Sequence, residues 1–123
     1  MSLEELNKTI FINDGKIKNI KINFDSYENE RHQKANVEVV LECRKVDNLE
    51  KMSISLIFSE NVYYDLFDEN LSFYGSGDYS DITLLKDTDD RYYLSLDPYD
   101  NSGKPNEEDN DIIKSDKLKI NIS

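Results

Sequence analysis

Apolar residues recur at every second position through most of this chain. Ile20, Ile22 and Phe24 alternate with Lys21 and Asn23, the pattern of a strand with one buried and one solvated face. Val37, Val39, Leu41 and Cys43 share a side opposite Glu38, Glu42 and Arg44, and Ile54, Leu56 and Phe58 repeat the alternation. The intervening VDNLEKM reads as the turn of a hairpin. Ile82 and Leu84 (with Leu85), then Tyr92, Leu94 and Leu96, predict two strands joined by KDTDDR. Leu118, Ile120 and Ile122 alternate with Lys119 and Asn121 and predict a closing strand.

Two stretches are less direct. In Phe11-Ile12-Asn13-Asp14-Gly15-Lys16-Ile17, Asp-Gly stands between apolar runs. That dipeptide favours a tight turn because both central residues take positive φ, which predicts a first hairpin joining residues 8–13 to 16–24. From Glu60 onward, Val62 and Leu66, like Tyr63 and Phe67, are four apart, as on a short helix. Val62, Tyr64 and Leu66 would equally share one face of a strand. Residues 26–36 read as a polar loop and Gly75-Ser76-Gly77 as a turn. The sum is about seven short strands between turn residues, which predicts a mainly β chain. The expected architecture is an antiparallel sandwich or barrel with one short helix at most.

The 123 residues suit a single domain over 1–123, long enough for one core without staples. Hydrophobic residues at 37% and a net charge of −11 pull toward disorder. Eight Tyr and five Phe within alternating runs pull the other way, toward a folded chain with a long polar loop. That loop is DPYDNSGKPNEEDND, residues 97–111, where Asp97, Asp100, Glu107, Glu108, Asp109 and Asp111 face the lone cation Lys104. A strand follows it, so it is an internal connection rather than a frayed end. Connections of that length inside a compact chain are mobile or functional.

Charge is unevenly spread: residues 1–60 hold 9 Lys/Arg against 11 Asp/Glu, and residues 61–123 hold 6 against 15. The acidic half repels phosphate backbones and anionic lipid surfaces, which excludes nucleic acid and membranes as expected partners. A basic protein or a divalent cation suits it better. The single Cys43 permits no internal disulfide. Glu4 and Glu5 stand where a secretory leader carries cations, and no apolar run approaches the length of a membrane span. The expected location is the cytoplasm.

Catalytic chemistry finds little purchase. His32 lies in the charged stretch ENERHQKAN without a second histidine, and Cys43 sits on a core-type face. No zinc set or nucleophile–base pair is visible by spacing, and Gly75-Ser76-Gly77 lacks the Lys-Ser/Thr of a phosphate loop. No catalytic residue, metal ligand or cofactor is assigned, and an enzyme is not expected. A calcium loop has a partial frame: Gly103 at the sixth position sets Asp100, Ser102 and Asp109 at the third, fifth and twelfth. Pro98 then occupies the first position and offers no side-chain oxygen. A second frame begun at Asp87 and Asp89 meets Arg91 and Tyr92 where an oxygen ligand and a glycine belong. A Ca²⁺-binding sandwich using these carboxylates is the alternative function.

The most informative feature is the overlap of acids and tyrosines. Tyr63, Tyr64, Tyr74, Tyr79, Tyr92, Tyr93 and Tyr99 fall within one stretch that also holds Asp65, Asp68, Asp78, Asp81, Asp97 and Asp100. About half of these rings are needed to complete the sheet, and a solvated acidic face is the plain reading of the rest. The sharper reading is a protein-binding face, because Tyr gives large contact area at small entropic cost and carboxylates steer a basic partner. The candidate contact residues are Tyr79, Asp81, Asp97, Tyr99, Asp100 and Glu108. The succession DGKIKNIKI, SISLIFSENVYY, RYYLSLDPYD and KLKINI resembles small acidic β-rich bacterial proteins of unknown function, some of which are immunity proteins. The resemblance implies one-to-one inhibition of a toxin domain, often a basic nuclease. It carries no binding residue over.

Overall fold

The computed structural model describes residues 1–25, 34–66, 82–100 and 102–122. It opens on a helix, α1 (Leu3–Thr9), in a stretch whose end the alternation had suggested for a strand. Ser2 caps it, its Oγ accepting from the Glu5 N–H at 3.1 Å, and Glu4 and Glu5 occupy the first turn with Lys8 in the last. Ser-x-x-Glu is a helix-start signature and the charges suit the helix dipole. Leu6, fully buried, ties the helix to the core.

The predicted first hairpin does not form. Residues Ile10–Asp25 make one strand, β1, which pairs antiparallel with β2 (Lys34–Lys45) along its length. Register slips between Phe11 and Lys16 and again between Ile17 and Asn19, so Asp14-Gly15 lies in a bulge rather than a turn. Bulges bend and twist a strand. Here the bend carries the Asn13 carbonyl to the N–H of Ile82, immediately before the strand that starts at Thr83, at 3.1 Å. The hydrogen bond and the close packing replace what a hairpin turn would have supplied. A Cβ on Gly15 would lie 3.0 Å from the Ile12 carbonyl oxygen, 3.1 Å from Cys43 Sγ and 3.3 Å from Ile82 Cδ1. Gly15→Ala is therefore expected to destabilise the fold by about 1–3 kcal/mol, read from the midpoint of urea unfolding.

The remaining strands are β3 (Lys51–Ser59), β4 (Tyr63–Asp65), β5 (Thr83–Lys86), β6 (Tyr92–Asp97), β7 (Asn110–Ser115) and β8 (Lys117–Ile122). They form two four-stranded antiparallel sheets, β1-β2-β3-β8 and β4-β7-β6-β5. The architecture is a sandwich and not a closed barrel. The β2–β3 and β5–β6 hairpins stand where alternation placed them. The open reading of residues 60–66 resolves to a strand at Tyr63–Asp65, while Phe67 and the Gly75-Ser76-Gly77 turn lie outside the described residues. Most of the 26–36 loop also lies outside them, and its end is strand β2 from Lys34.

Directly paired residues share a face, which sorts the side chains of the paired positions. Val37, Val39, Leu41, Leu56, Phe58 and Ile120 point inward from the first sheet, and Leu84, Leu94, Leu96 and Ile113 from the second. They meet in one core. Cys43 is part of it, and burial, followed by the charges of Glu42 and Asp14, pushes its thiol up to about 12. Such a thiol is a small hydrophobe rather than a nucleophile. Among the described residues no helix is long and apolar enough to cross a membrane.

The chain changes sheet twice at one corner. Glu60 and Asn61, both at positive φ (63° and 51°), lead from β3 to β4, and Asp116 alone leads from β7 to β8. The Asp116 N–H donates to the Glu60 carbonyl at 2.9 Å, and Asn61 Nδ2 donates to the Asp116 carboxylate. Arg91, at the end of the β5–β6 hairpin, donates to Asp116 Oδ1 at 3.2 Å and to the Asn61 carbonyl. These bonds satisfy carbonyls and amides that no ladder reaches.

Candidate functional site

Strand β6 runs one residue further toward the acidic segment than alternation suggested, and β7, which alternation did not predict, begins inside that segment. The ladder extends to Asp97 paired with Asn110, so the connection is 98–109, and Asp111 is a buried strand residue rather than a loop acid. The strand over Asn110–Ser115 has Asp111, Ile113 and Ser115 buried. Its two adjacent isoleucines and leading acids obscure the period of two.

This loop is built around one carboxylate. Asp109 is only 6% exposed. Its Oδ2 accepts from the Tyr93 hydroxyl at 2.5 Å and the Asn106 N–H at 2.9 Å, and its Oδ1 accepts from the Tyr99 N–H at 2.8 Å. Tyr93 stands on the outer face of the second sheet, between Leu85 and Lys114 in register, yet it is 2% exposed. The bond to Asp109 draws residues 98–109 over that face. Burial first, and then the Asp109 hydrogen bond, push the Tyr93 phenol far above its ordinary range, so it stays a neutral donor. Lys114 Nζ lies 5.6 Å from the ring centroid, a distance at which a cation is attracted to an aromatic face.

Short polar turns hold the rest of the loop. Asp100 Oδ1 accepts from the Ser102 N–H at 3.1 Å, Ser102 Oγ from the Lys104 N–H at 3.2 Å, and Asn106 Oδ1 from the Glu108 N–H at 2.9 Å. Asx and Ser turns of this type let a side chain stand in for a backbone partner. Hydrogen bonding from Ser102 holds the Asp100 carboxyl below the usual carboxylate range. Gly103 sits at φ +74° with nothing near its missing Cβ, a backbone angle that glycine adopts without strain.

The structure brings four of the six candidate contact residues onto this loop and its stem. Asp97 ends β6, exposed, with its Oδ2 3.4 Å from Asn110 Nδ2. Tyr99 is 65% exposed although its backbone is tied to Asp109. Asp100 and Glu108 are exposed on either side. Tyr79 and Asp81 lie outside the described residues. Of the other tyrosines, Tyr64 and Tyr92 pack against the core and Tyr93 is buried, while Tyr63 is 52% exposed on β4, across from Lys114. The residues that sequence reasoning missed are Asp109 and Tyr93, the pivot and its donor. No sequence signal singles Asp109 out, because the strand that begins at Asn110 is itself hidden in the run of acids.

For the calcium alternative, the oxygens that must converge are already engaged. Asp109 would fill the bidentate twelfth position, and both its oxygens accept from loop donors. Among the described residues no group of three or more metal-ligating side chains is gathered. A thermal melt at fixed ionic strength is expected to show equal small rises with Ca²⁺ and Mg²⁺, the mark of screening an acidic surface. A saturable, Ca²⁺-selective rise is the mass-action signature that would revive a metal loop.

No family model, curated protein or solved structure matches the chain.

Proposed function

We propose that this chain is a protein-binding module that takes a basic protein on the loop of residues 98–109. The observation that carries the reading is Tyr99: its ring is 65% exposed while its main chain is pinned to a buried carboxylate. An aromatic ring presented from a fixed backbone loses little freedom on binding. Exposed Asp97, Asp100, Glu107 and Glu108 surround it, and such a field steers a cationic partner and speeds encounter. Neutralisation of a basic toxin domain in the cytoplasm, without catalysis by this chain, is the form of the reading that the resemblance to immunity proteins supports.

The test compares wild type with Tyr99→Ala and with the pair Asp100→Lys, Glu108→Lys against a partner identified by cross-linking in cells. Tyr99→Ala is expected to weaken affinity about 30-fold, as anchors at interface centres do. The charge reversal is expected to slow association about tenfold or more and to flatten its salt dependence. A partner whose affinity ignores both changes does not bind this loop.

A further inference from the structure

The outer face of the first sheet carries a charge opposite to that of the molecule. Lys16 and Lys21 on β1, Lys117 and Lys119 on β8, and Arg44 and Lys51 on the inner strands fall on that face by register, and Lys18, in the second β1 irregularity, reaches Glu42 there at 3.9 Å. Among the described side chains the acids on that face are Glu38 and Glu42, in a chain of net charge −11; Glu42 pairs with Lys18 and Lys51, and Glu60 with Lys117. Lysines on edge strands commonly keep edges from pairing, which accounts for β1 and β8. Arg44, on an inner strand, donates to the Leu49 carbonyl at 3.0 Å, and Lys51 pairs with Glu42 at 3.9 Å, so the cationic surplus of the face rests on its two edges.

The middle of the face is low and partly apolar. In one row Lys21, Glu38, Ile57 and Lys119 follow one another, and in the next Asn19, Val40, Ser55 and Asn121. Glu38 is turned aside to accept from Ser55 Oγ at 3.0 Å. Val40 and Ile57, both half-buried, thus lie diagonally in the middle of the face, with Lys21 and Lys119 at the ends of one row and Asn19 and Asn121 at the ends of the other. The loop of residues 98–109 has the complementary arrangement, with exposed Tyr99 amid carboxylates.

We propose that a second copy of this chain docks its 98–109 loop on the outer face of the β1-β2-β3-β8 sheet, head to tail. The inference goes beyond the heterologous partner proposed above and rests on that reading only in treating the loop as a presented surface. The contact joins two different surfaces, so it leaves one loop and one sheet face open in every pair. Net charge opposes it at long range, whereas the patches attract at contact. Association is therefore weakest at ~0.01 M salt, where the Debye length is about 30 Å, strongest near ~0.1 M, and lost again near ~1 M.

Sedimentation of the full chain across those salt concentrations tests this. Wild type is expected to show a weight-average mass that rises with concentration, most steeply near ~0.1 M salt. Lys21→Glu with Lys119→Glu reverses the sheet face, and Asp100→Lys with Glu108→Lys reverses the loop. All four positions are exposed, so circular dichroism of each variant should match wild type. Each reversed chain alone is expected to be monomeric, and an equimolar mixture of the two to associate. A wild type that stays monomeric at every salt concentration overturns the proposal, as does association that survives either reversal, or a mixture that stays monomeric. Those results leave the heterologous reading standing, because that reading fails only when a basic partner ignores the loop variants.

Discussion

Replacing Asp109 by alanine is expected to destabilise the protein by about 3–5 kcal/mol. Three donors lose their acceptor at once: the Tyr93 hydroxyl and the N–H groups of Asn106 and Tyr99. A buried donor left unsatisfied costs about 1–3 kcal/mol, and bonds to an ionised acceptor are at the strong end. The sum is held below three full penalties because a collapsing loop admits water to the two amides. Tyr93→Phe removes one donor and leaves the carboxylate its other two, so about 1–2 kcal/mol is expected. Asp109→Asn falls between them, since one oxygen still accepts while the amide nitrogen cannot. Urea unfolding orders the three variants, and hydrogen exchange at Tyr99 and Asn106 reports the loop itself. A loss under about 1 kcal/mol for the alanine variant would mean that the loop is held by its local turns, and Tyr99 would then lose its claim to be preorganised.

Phe58→Ala is the second large effect, with about 3–5 kcal/mol expected from lost transfer energy and a residual cavity. Phe58 is fully buried, between Val37 and Leu118 in register, and packed side chains on both sheets limit collapse into the space. Its neighbour Ile57 faces outward and is half-buried. Ile57→Ala is expected to cost less than about 1 kcal/mol, since only part of its surface leaves water on folding. Paired denaturation midpoints with unchanged slopes test the contrast. Equal losses at the two positions would contradict the alternation from which the sandwich is built.

These two residues mark how far the sequence could be read. Phe58 announces itself, because a period of two is a local property and the hydrophobic residues must share the side away from water. The same logic located β2, β3, β5, β6 and β8. It failed where local and tertiary preferences disagree. Asp14-Gly15 has the chemistry of a hairpin turn, yet continued pairing of β1 with β2 and the hydrogen bond from Ile82 to Asn13 make a bulge the better structure. At β7 a run of acids ending in Asp111 hid a strand, because one of those acids faces the interior. The helix at Leu3–Thr9 was legible from Ser2 and Glu5, but the strand pattern beginning at Ile10 overshadowed it.

The candidate site divides in the same way. That tyrosines and carboxylates crowd one stretch is composition, visible without coordinates. Which tyrosine stays exposed is not, since Tyr93 falls on the side of its strand opposite Tyr92, Leu94 and Leu96 and Tyr99 in an acidic loop, so that both read as exposed. One lies under the loop and the other on top because Asp109 binds the hydroxyl of the first and the backbone of the second.

By itself the sequence determined the mainly β class, five of the strands, the inward face of each, and a strongly acidic net charge. Those are sums over local periods and charges, which hold whatever the chain order in space. Tertiary structure alone decided that the strands close as a sandwich, that Asp14-Gly15 bends a strand instead of ending one, and that the lysines of separate strands gather on one face. It also decided that Asp109 and Asp111 are the buried carboxylates among the described residues. Each of these depends on contacts between residues far apart in the chain, where a hydrogen bond or a shared interior outweighs the preference of any short segment.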